Sequence, residues 1–100
     1  MPVVKLTADN FNKTIAENPK VLVDFWAGWC GPCRMLAPVV EAIGNENDDI
    51  IVGKLNVDEE GEIAGAYGIT SIPTLILFRN GKPETKSVGL KSKEAILQML

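Results

Sequence analysis

Two cysteines separated by two residues, Cys30 and Cys33, are the only cysteines in this chain of 100 residues. Thiols at this spacing can close a small disulfide and open it again, which favours reversible thiol–disulfide exchange over a permanent crosslink. The apolar stretch 21–27 predicts a strand before them, and residues 34–41 have helical spacing. Cys30 therefore lies at a strand-to-helix junction, where free backbone N–H groups and the helix dipole stabilise a thiolate.

A structural zinc site is the main alternative for two cysteines this close together. Structural zinc requires four ligands, and the chain has 2 cysteines and 0 histidines, so a monomer would have to add carboxylates or a second chain. The lack of histidine also removes most other metal sites and every histidine-based acid–base scheme. We therefore expect redox chemistry with no metal and no other cofactor.

Asp24 is the one charged residue inside the apolar stretch 21–27. Burial of an unpaired carboxyl group raises its pKa and leaves it partly protonated near neutrality. The alternative is a carboxylate at a strand end that faces solvent. Lys54 is either its partner on an adjacent strand or an ordinary lysine whose ammonium group reaches water.

Composition predicts one globular domain over residues 1–100, with 46% hydrophobic and 23% charged residues. The net charge of −3 argues against nucleic-acid binding. Residues 1–5 lack the charged start and long apolar run of a signal peptide, and the apolar runs are too short to span a bilayer. We expect a monomeric cytoplasmic protein that makes no membrane contact, in a compartment that keeps thiols reduced.

Hydrophobic periodicity and turn residues predict the order β-α-β-α-β-α-β-β-α. The expected strands are 3–6, 21–27, 50–57, 74–79 and 84–88, and the expected helices are 8–17, one starting at about 32, 59–67 and 92–100. Thr7 is the expected N-cap of the first helix, and Pro38 should kink the second. Asn80-Gly81 predicts a tight hairpin. This order gives parallel pairing in the first half of the sheet and an antiparallel hairpin at the end.

The segment W-A-G-W-C-G-P-C-R at 26–34 resembles the active site of the thioredoxin family. Further matches lie outside this segment; in chain order they are Asp24, Lys54 at the start of K-L-N-V-D, Ile72-Pro73-Thr74, Gly81 and Gly89. The resemblance extends from about Leu6 to the end of the chain. On these residues the chain is identified as a member of that family.

The resemblance implies an α/β fold, the thioredoxin fold, with a central mixed five-stranded sheet in the order 1-3-2-4-5 flanked by four helices. It implies a protein-disulfide reductase that serves as an electron carrier, is recharged by a thioredoxin reductase and acts on disulfide-containing proteins. Cys30 would be the nucleophile at the exposed tip of a helix, and Cys33, one turn deeper, would be the resolving thiol. Asp24 would lie behind Cys33 and exchange protons with it.

The resemblance also implies a cis bond between Ile72 and Pro73, which would bring the Ile72 backbone beside Cys30 to pair with an extended substrate. The implied docking surface is flat and uncharged, and its residues are Trp29, Gly31, Pro32, Ile72, Pro73 and Gly89. Trp26 is expected to support the active-site loop by packing. Gly31-Pro32 between the cysteines is similar to reductants of this superfamily, whereas its isomerases and oxidants carry a histidine there.

Two other functions remain open from the sequence. The chain could be a dedicated electron donor to one enzyme, such as a reductase or a peroxidase. It could also be a binding module that uses the fold without turnover. The intact W-C-G-P-C motif together with Asp24 argues against the binding module, since a module would not need to keep them.

Overall fold

A central sheet, covered by helices on both faces, carries the segment with the two cysteines. The structure is a computed structural model that describes residues 3–100; Met1 and Pro2, the start of the segment assessed for a signal peptide, lie outside it. The elements are β1 (Val4–Lys5), α1 (Phe11–Glu17), β2 (Lys20–Trp26), α2 (Gly31–Glu46), β3 (Ile51–Asn56), α3 (Gly61–Ala66), β4 (Thr74–Arg79), β5 (Lys82–Val88) and α4 (Lys93–Met99). This order confirms the predicted one.

Within residues 3–100, the sheet has five strands in the order β1-β3-β2-β4-β5. Strands β1 and β2 both pair in parallel with β3, whereas β4 runs antiparallel to β2 and to β5. The expected mixed sheet is therefore confirmed, including its order. Because β2 is the central strand, the loop that follows it leaves from the middle of one sheet edge, and this loop carries Cys30 to the start of α2.

The two faces of the sheet pack against different side chains. The first, called here the aromatic face, is covered by α1 and α3; its buried residues are Leu6, Phe11, Ile15, Val21, Val23, Phe25, Leu55, Ile76 and Phe78. The second, the aliphatic face, is covered by α2 and α4; its buried residues are Leu22, Leu36, Val40, Ile43, Ile50, Val52, Leu75, Leu77 and Ile96. Side chains alternate between the faces along each strand, so β2 is apolar on both sides.

The first helix starts later than the sequence predicts, and the expected N-cap at Thr7 is wrong. Helix α1 begins at Phe11, and its N-cap is Asn10, whose side chain makes no capping hydrogen bond. The side chain of Asn10 instead accepts a hydrogen bond from the Thr7 backbone N–H and donates one to the Lys5 carbonyl. Such local side-chain bonds compete with helix formation, so residues 8–10 form turns.

The predicted Asn80-Gly81 hairpin is present. Both residues have positive φ, 53° at Asn80 and 83° at Gly81, as a two-residue turn between antiparallel strands requires. Strand β5 begins at Lys82, two residues before the predicted start, because Lys82 and Pro83 still pair with β4. Proline lacks the N–H that a central strand would use, and β5 is an edge strand where this loss is tolerated.

Helix α2 is the long helix beside the cysteines. It has 16 residues and contains Pro38 in its interior, as predicted. No helix within residues 3–100 combines the length and the apolar character needed to cross a membrane.

Candidate active site

Cys30 and Cys33 form a disulfide at the N-terminal end of α2. Cys30 is the N-cap residue of this helix, and the Cα atoms of the two cysteines are 5.2 Å apart. The backbone N–H of Cys33 points at Cys30 Sγ, at a donor–acceptor distance of 3.2 Å. When the pair is reduced, this N–H and the positive end of the helix dipole stabilise a thiolate at Cys30. The predicted strand-to-helix placement is therefore confirmed.

The expectation that Cys30 sits at an exposed tip is wrong. Cys30 is 5% exposed and Cys33 is 2% exposed. Ala27 packs against the pair, as do the partly buried side chains of Trp26, Val57 and Ile72. These apolar neighbours come from three separate chain segments that close around the disulfide. A partner must therefore approach where Cys30, the residue of the pair with the larger exposed fraction, still reaches the surface; this place is called here the opening beside Cys30.

The loop before β4 forms the opposite wall of this opening. The peptide bond between Ile72 and Pro73 is cis, as the resemblance implied. The Ile72 carbonyl oxygen lies 3.8 Å from Cys30 Sγ. The Pro73 carbonyl accepts a hydrogen bond of 2.8 Å from the Gly89 N–H, and Gly89 has φ of 97°, a conformation that favours glycine. The structure thus brings Ile72, Pro73 and Gly89 together beside the cysteines.

Trp29 lies at the outer rim of the opening and is 71% exposed. Its indole N–H donates a hydrogen bond of 2.9 Å to the Asp58 carboxylate, which fixes the orientation of the ring. Arg34, in the first turn of α2, donates a hydrogen bond of 2.9 Å to the carbonyl of Gly28 on the same loop as Trp29. A large aromatic surface held in one orientation next to a reactive disulfide is suited to contact with another protein.

Asp24 is buried on the aliphatic face of the sheet. It is 0% exposed, and neither carboxyl oxygen has a hydrogen-bond partner within residues 3–100. Removal from water raises the pKa of Asp24 from 3.8 to about 7, and the positive charge of Lys54 opposes this rise. The alternative of a solvent-facing carboxylate at a strand end is therefore wrong. Asp24 points to the same side as Leu22, toward α2, whose first turn carries Cys33.

Lys54 occupies the position on β3 that is in register with Asp24 on β2. The two residues are therefore neighbours on one face of the sheet. The Lys54 ammonium nitrogen lies 4.6 Å from the centre of the Trp26 ring. The ion pairs recorded within residues 3–100 do not include Lys54, so its charge acts on Asp24 without a direct bridge. Trp26 thus contacts both the disulfide cluster and this lysine.

Potential metal ligands are dispersed across residues 3–100. No group of three or more histidine, cysteine, aspartate or glutamate side chains in this range could hold a metal ion.

The arrangement of a C-x-x-C pair at a helix N-terminus, a cis-proline loop and a buried carboxyl group has a counterpart among known proteins. The family model described as Thioredoxin matches residues 2–100. The chain belongs to the thioredoxin family. It is accordingly a thiol–disulfide oxidoreductase with an active-site dithiol pair, Cys30 and Cys33.

Individual thioredoxins match along almost the whole chain. Thioredoxin from Alicyclobacillus acidocaldarius is 51% identical over 92 residues, which are 91% of this chain and 88% of that protein. Thioredoxin from Bacillus subtilis is 46% identical over 101 residues, covering 100% of this chain and 96% of that protein. A solved structure of an asparagine-to-glutamine mutant thioredoxin from Halobacterium salinarum superposes with a TM-score of 0.93 at 37% identity, covering 98% of this chain and 87% of that chain.

Proteins of the thioredoxin family are generally reduced by a thioredoxin reductase and act on disulfide substrates. Two further apolar side chains are exposed next to Gly89, one of the residues predicted to form the docking surface. Val88 is 56% exposed and Leu90 is 46% exposed, and they flank Gly89 in the chain. Their adjacency to Gly89 was the signal that could have identified them. Asp58, which orients Trp29, was also missed, because nothing local in the sequence links two residues so far apart.

Proposed function

We propose that this protein is a general protein-disulfide reductase in which Cys30 attacks and Cys33 resolves. The observation that carries the assignment is the position of Cys30 as the N-cap of α2, where its Sγ accepts the Cys33 N–H and its exposed fraction is the larger of the pair. The Cys30 thiolate attacks one sulfur of a substrate disulfide and forms a mixed disulfide. The other substrate sulfur leaves as a thiolate and takes a proton.

In the second step, the Cys33 thiolate attacks Cys30 Sγ within the mixed disulfide. The Cys30–Cys33 disulfide forms, and the second substrate sulfur leaves as a thiolate and takes a proton. Two electrons have then moved from the protein to the substrate. The cysteine pair carries these electrons itself, so the proposal includes no cofactor. A thioredoxin reductase would return two electrons and two protons to Cys30 and Cys33.

Cys33 must lose its proton before it can attack, and we assign the acceptor role to Asp24. A carboxyl group with a pKa of about 7 is half ionised near neutral pH and can both take and release a proton there. Asp24 faces α2 from the centre of the sheet and has no competing hydrogen-bond partner within residues 3–100. We assign Lys54 to its electrostatic control, because the two residues are in register on neighbouring strands.

Substrate docking is assigned to the surface around Cys30. Trp29, Gly31 and Pro32 would form one side of it, and the Ile72–Pro73 loop with Gly89 would form the other. The backbone of Ile72 has no backbone hydrogen bond among those recorded for residues 3–100, so it is available to pair with an extended segment of a substrate. We further propose that one domain carries the activity as a monomer in the cytosol, where thiols stay reduced.

The division of labour between the two cysteines is tested with two single variants. Cys30→Ser should reduce insulin disulfides no faster than the buffer blank with dithiothreitol, because the attacking thiolate is gone. Cys33→Ser should instead accumulate a stable mixed disulfide through Cys30, because the resolving thiol is missing. Mass spectrometry of the trapped species identifies the linked cysteine. An adduct on Cys33 in Cys30→Ser, formed in comparable yield, would contradict the assignment.

A further inference from the structure

Trp26 and Lys54 make a contact that the disulfide chemistry described above does not use. The Lys54 ammonium nitrogen lies 4.6 Å from the centre of the Trp26 ring, within the range of a cation–π interaction. Trp26 follows Asp24 by two residues on β2, so both side chains point to the same face of the sheet. Lys54 is in register with Asp24 on β3. The ring, the ammonium group and the carboxyl group are therefore neighbours.

Lys54 lines a cleft of about 370 Å³, which has room for its ammonium group in more than one position. Trp26, Lys54 and Asn56 line it, together with the charged residues Lys5, Glu41 and Glu59 at its rim. Lysine has a long flexible stem and a strongly hydrated charge, so an unrestrained ammonium group would move outward into this cleft, away from Asp24. The Trp26 ring supplies an attractive surface that keeps the charge at the inner end.

We propose that Trp26 is a positioning residue: its ring holds the Lys54 ammonium group near Asp24 and so sets the pH at which Asp24 exchanges a proton with Cys33. The first half of this proposal, the electrostatic coupling, stands on the geometry alone. The second half rests on the proposed role of Asp24 as proton acceptor. Loss of the ring lets the ammonium group move outward, and the attraction between opposite charges falls as their distance grows.

The other groups around Asp24 leave Lys54 as the charge with the most influence on it. The groups that face Asp24 from neighbouring elements, or that lie at the rim of the cleft, are Cys33 and Glu41 on α2, Lys5 at the end of β1, Glu59 after β3, Leu75 on β4 and Ser87 on β5. Leu75 and Ser87 carry no charge. Lys5 and Glu59 form an ion pair at 3.5 Å, so their charges largely cancel. On α4, Lys93 is paired with Glu46 of α2.

A double-mutant cycle in the oxidised protein tests the coupling. The midpoint of Asp24 ionisation is read from the ¹³C chemical shift of its carboxyl carbon in wild type, Trp26→Leu, Lys54→Met and the double variant. Trp26→Leu should raise this midpoint by roughly half a pH unit when Lys54 is present. In the Lys54→Met background it should produce no such rise. An equal shift in both backgrounds, or a downward shift with Lys54 present, would overturn the proposal.

Two further measurements keep the test decisive if Trp26→Leu does not fold. Trp26→Phe retains an aromatic ring beside Lys54. Its midpoint of Asp24 ionisation should therefore stay closer to the wild-type value than the midpoint of any aliphatic replacement that folds. In wild type, the ε-methylene protons of Lys54 should be shifted upfield by the Trp26 ring relative to those of exposed Lys13. Equal chemical shifts for the two lysines would show that the ring does not hold Lys54.

The pH profile of insulin reduction separates this proposal from the assignment of Asp24. In Trp26→Leu, the pH profile of insulin reduction should shift to higher pH together with the midpoint of Asp24 ionisation. Trp29→Leu, which changes the other tryptophan of the chain and does not touch Lys54, should leave the Asp24 midpoint where it is in wild type. If the pH profile stays fixed while the Asp24 midpoint moves, the proton-acceptor role of Asp24 is overturned. The contact between Trp26 and Lys54 would then affect the ionisation of Asp24 without affecting the reaction.

Discussion

The aromatic and aliphatic faces of the sheet bury similar numbers of apolar side chains but differ in what else they contain. On the aromatic face, Phe11 and Tyr67 each pack edge-on against Phe78, at ring-centre distances of 5.8 and 5.2 Å. The buried polar side chain on that face, Thr74, donates a hydrogen bond of 2.6 Å to the Ser71 carbonyl. The aliphatic face includes Asp24 and Ser87, both buried and without a hydrogen-bond partner within residues 3–100. The buried polar groups that lack a partner thus lie on the aliphatic face, which also packs against α2, the helix that begins at the cysteines.

This separation has a physical reason. An ionisable group changes its pKa strongly only where water is excluded, and excluding water requires a well-packed apolar surround. The free energy lost by burying Asp24 must be offset by packing elsewhere. The aromatic face can supply that packing without touching the site, because its side chains point away from α2. We therefore expect side-chain truncations on the two faces to differ in their effect on the ionisation of Asp24.

A pair of truncations on β4 should give the largest effect on stability. Phe78→Ala removes a ring that is 1% exposed and should lower the free energy of unfolding by about 3–5 kcal/mol. The Asp24 midpoint should not change, because Phe78 lies on the opposite face. Leu75→Ala, on the aliphatic face in register with Asp24, should cost about 2–5 kcal/mol and also lower the pKa of Asp24 by admitting water beside it.

Urea denaturation gives both free energies, and the carboxyl ¹³C titration gives the midpoint. If Phe78→Ala moves the midpoint as far as Leu75→Ala does, the two faces are coupled and the comparison fails. Phe78→Leu serves as the milder control, since it keeps an apolar side chain and loses less packing.

Asp24→Asn should have the next largest effect on stability. It should raise the free energy of unfolding, whereas the two truncations lower it. The pKa of Asp24 is raised to about 7, so the folded state binds an extra proton. The stability from that proton is fully present below the unfolded pKa of about 3.9 and is lost as pH rises through 7. The neutral amide avoids this loss, and the variant should be more stable than wild type by on the order of 2–4 kcal/mol at pH 8.

At pH 4 the two proteins should have nearly equal stability, and the variant should reduce insulin more slowly at neutral pH because Cys33 has lost its proton acceptor. Asp48→Asn, at an exposed carboxylate, is the matched control and should change neither quantity. Equal stabilities of Asp24→Asn and wild type at pH 8 would mean that the carboxylate is well solvated in the folded protein.

Local signals predicted the parts of the fold that depend on neighbouring residues. The strand before Cys30, the helix after it and the Asn80-Gly81 hairpin all follow from patterns within a few residues, and all are confirmed. The predicted start of the first helix was wrong, also for a local reason. The Asn10 side chain bonds to Lys5 and Thr7 and does not cap the helix. The side chains of Thr7 and Asn10 both bond to backbone groups there, Thr7 to the Asp9 N–H and Asn10 to Thr7 and Lys5, and the residue types alone do not determine where the helix begins.

The site was harder to predict where distant segments meet. Cys30 is buried by Val57 and Ile72, which lie far away in the chain, so its accessibility could not be read from its own helix. The apolar neighbours of Asp24 left burial and solvent exposure as alternatives, and its proximity to Lys54, whose ammonium group lies over the Trp26 ring, depends on the register between β2 and β3. The roles assigned to these residues stay predictions until the variants are measured.

Ser87→Ala should have the smallest effect and shows whether every buried polar group on the aliphatic face serves the chemistry. Ser87 is 8% exposed, and its hydroxyl group has no hydrogen-bond partner within residues 3–100. Ser87 on β5 is in register with Leu75 on β4, and β4 lies between Ser87 and Asp24 on β2. The substitution removes an unpaired buried hydroxyl group and leaves a methyl side chain, so it should raise the free energy of unfolding by about 1 kcal/mol.

Ser92→Ala is the contrasting control, since the Ser92 hydroxyl caps α4 by accepting a hydrogen bond of 3.2 Å from the Ala95 N–H. Its loss should lower the free energy of unfolding by about 0.5–2 kcal/mol. Insulin reduction by Ser87→Ala should match wild type, because the residue contacts neither the cysteines nor Asp24 in the proposed reaction. A variant that is more stable but reduces insulin more slowly would place Ser87 beside Asp24 as a second polar group that is retained for chemistry at the expense of stability.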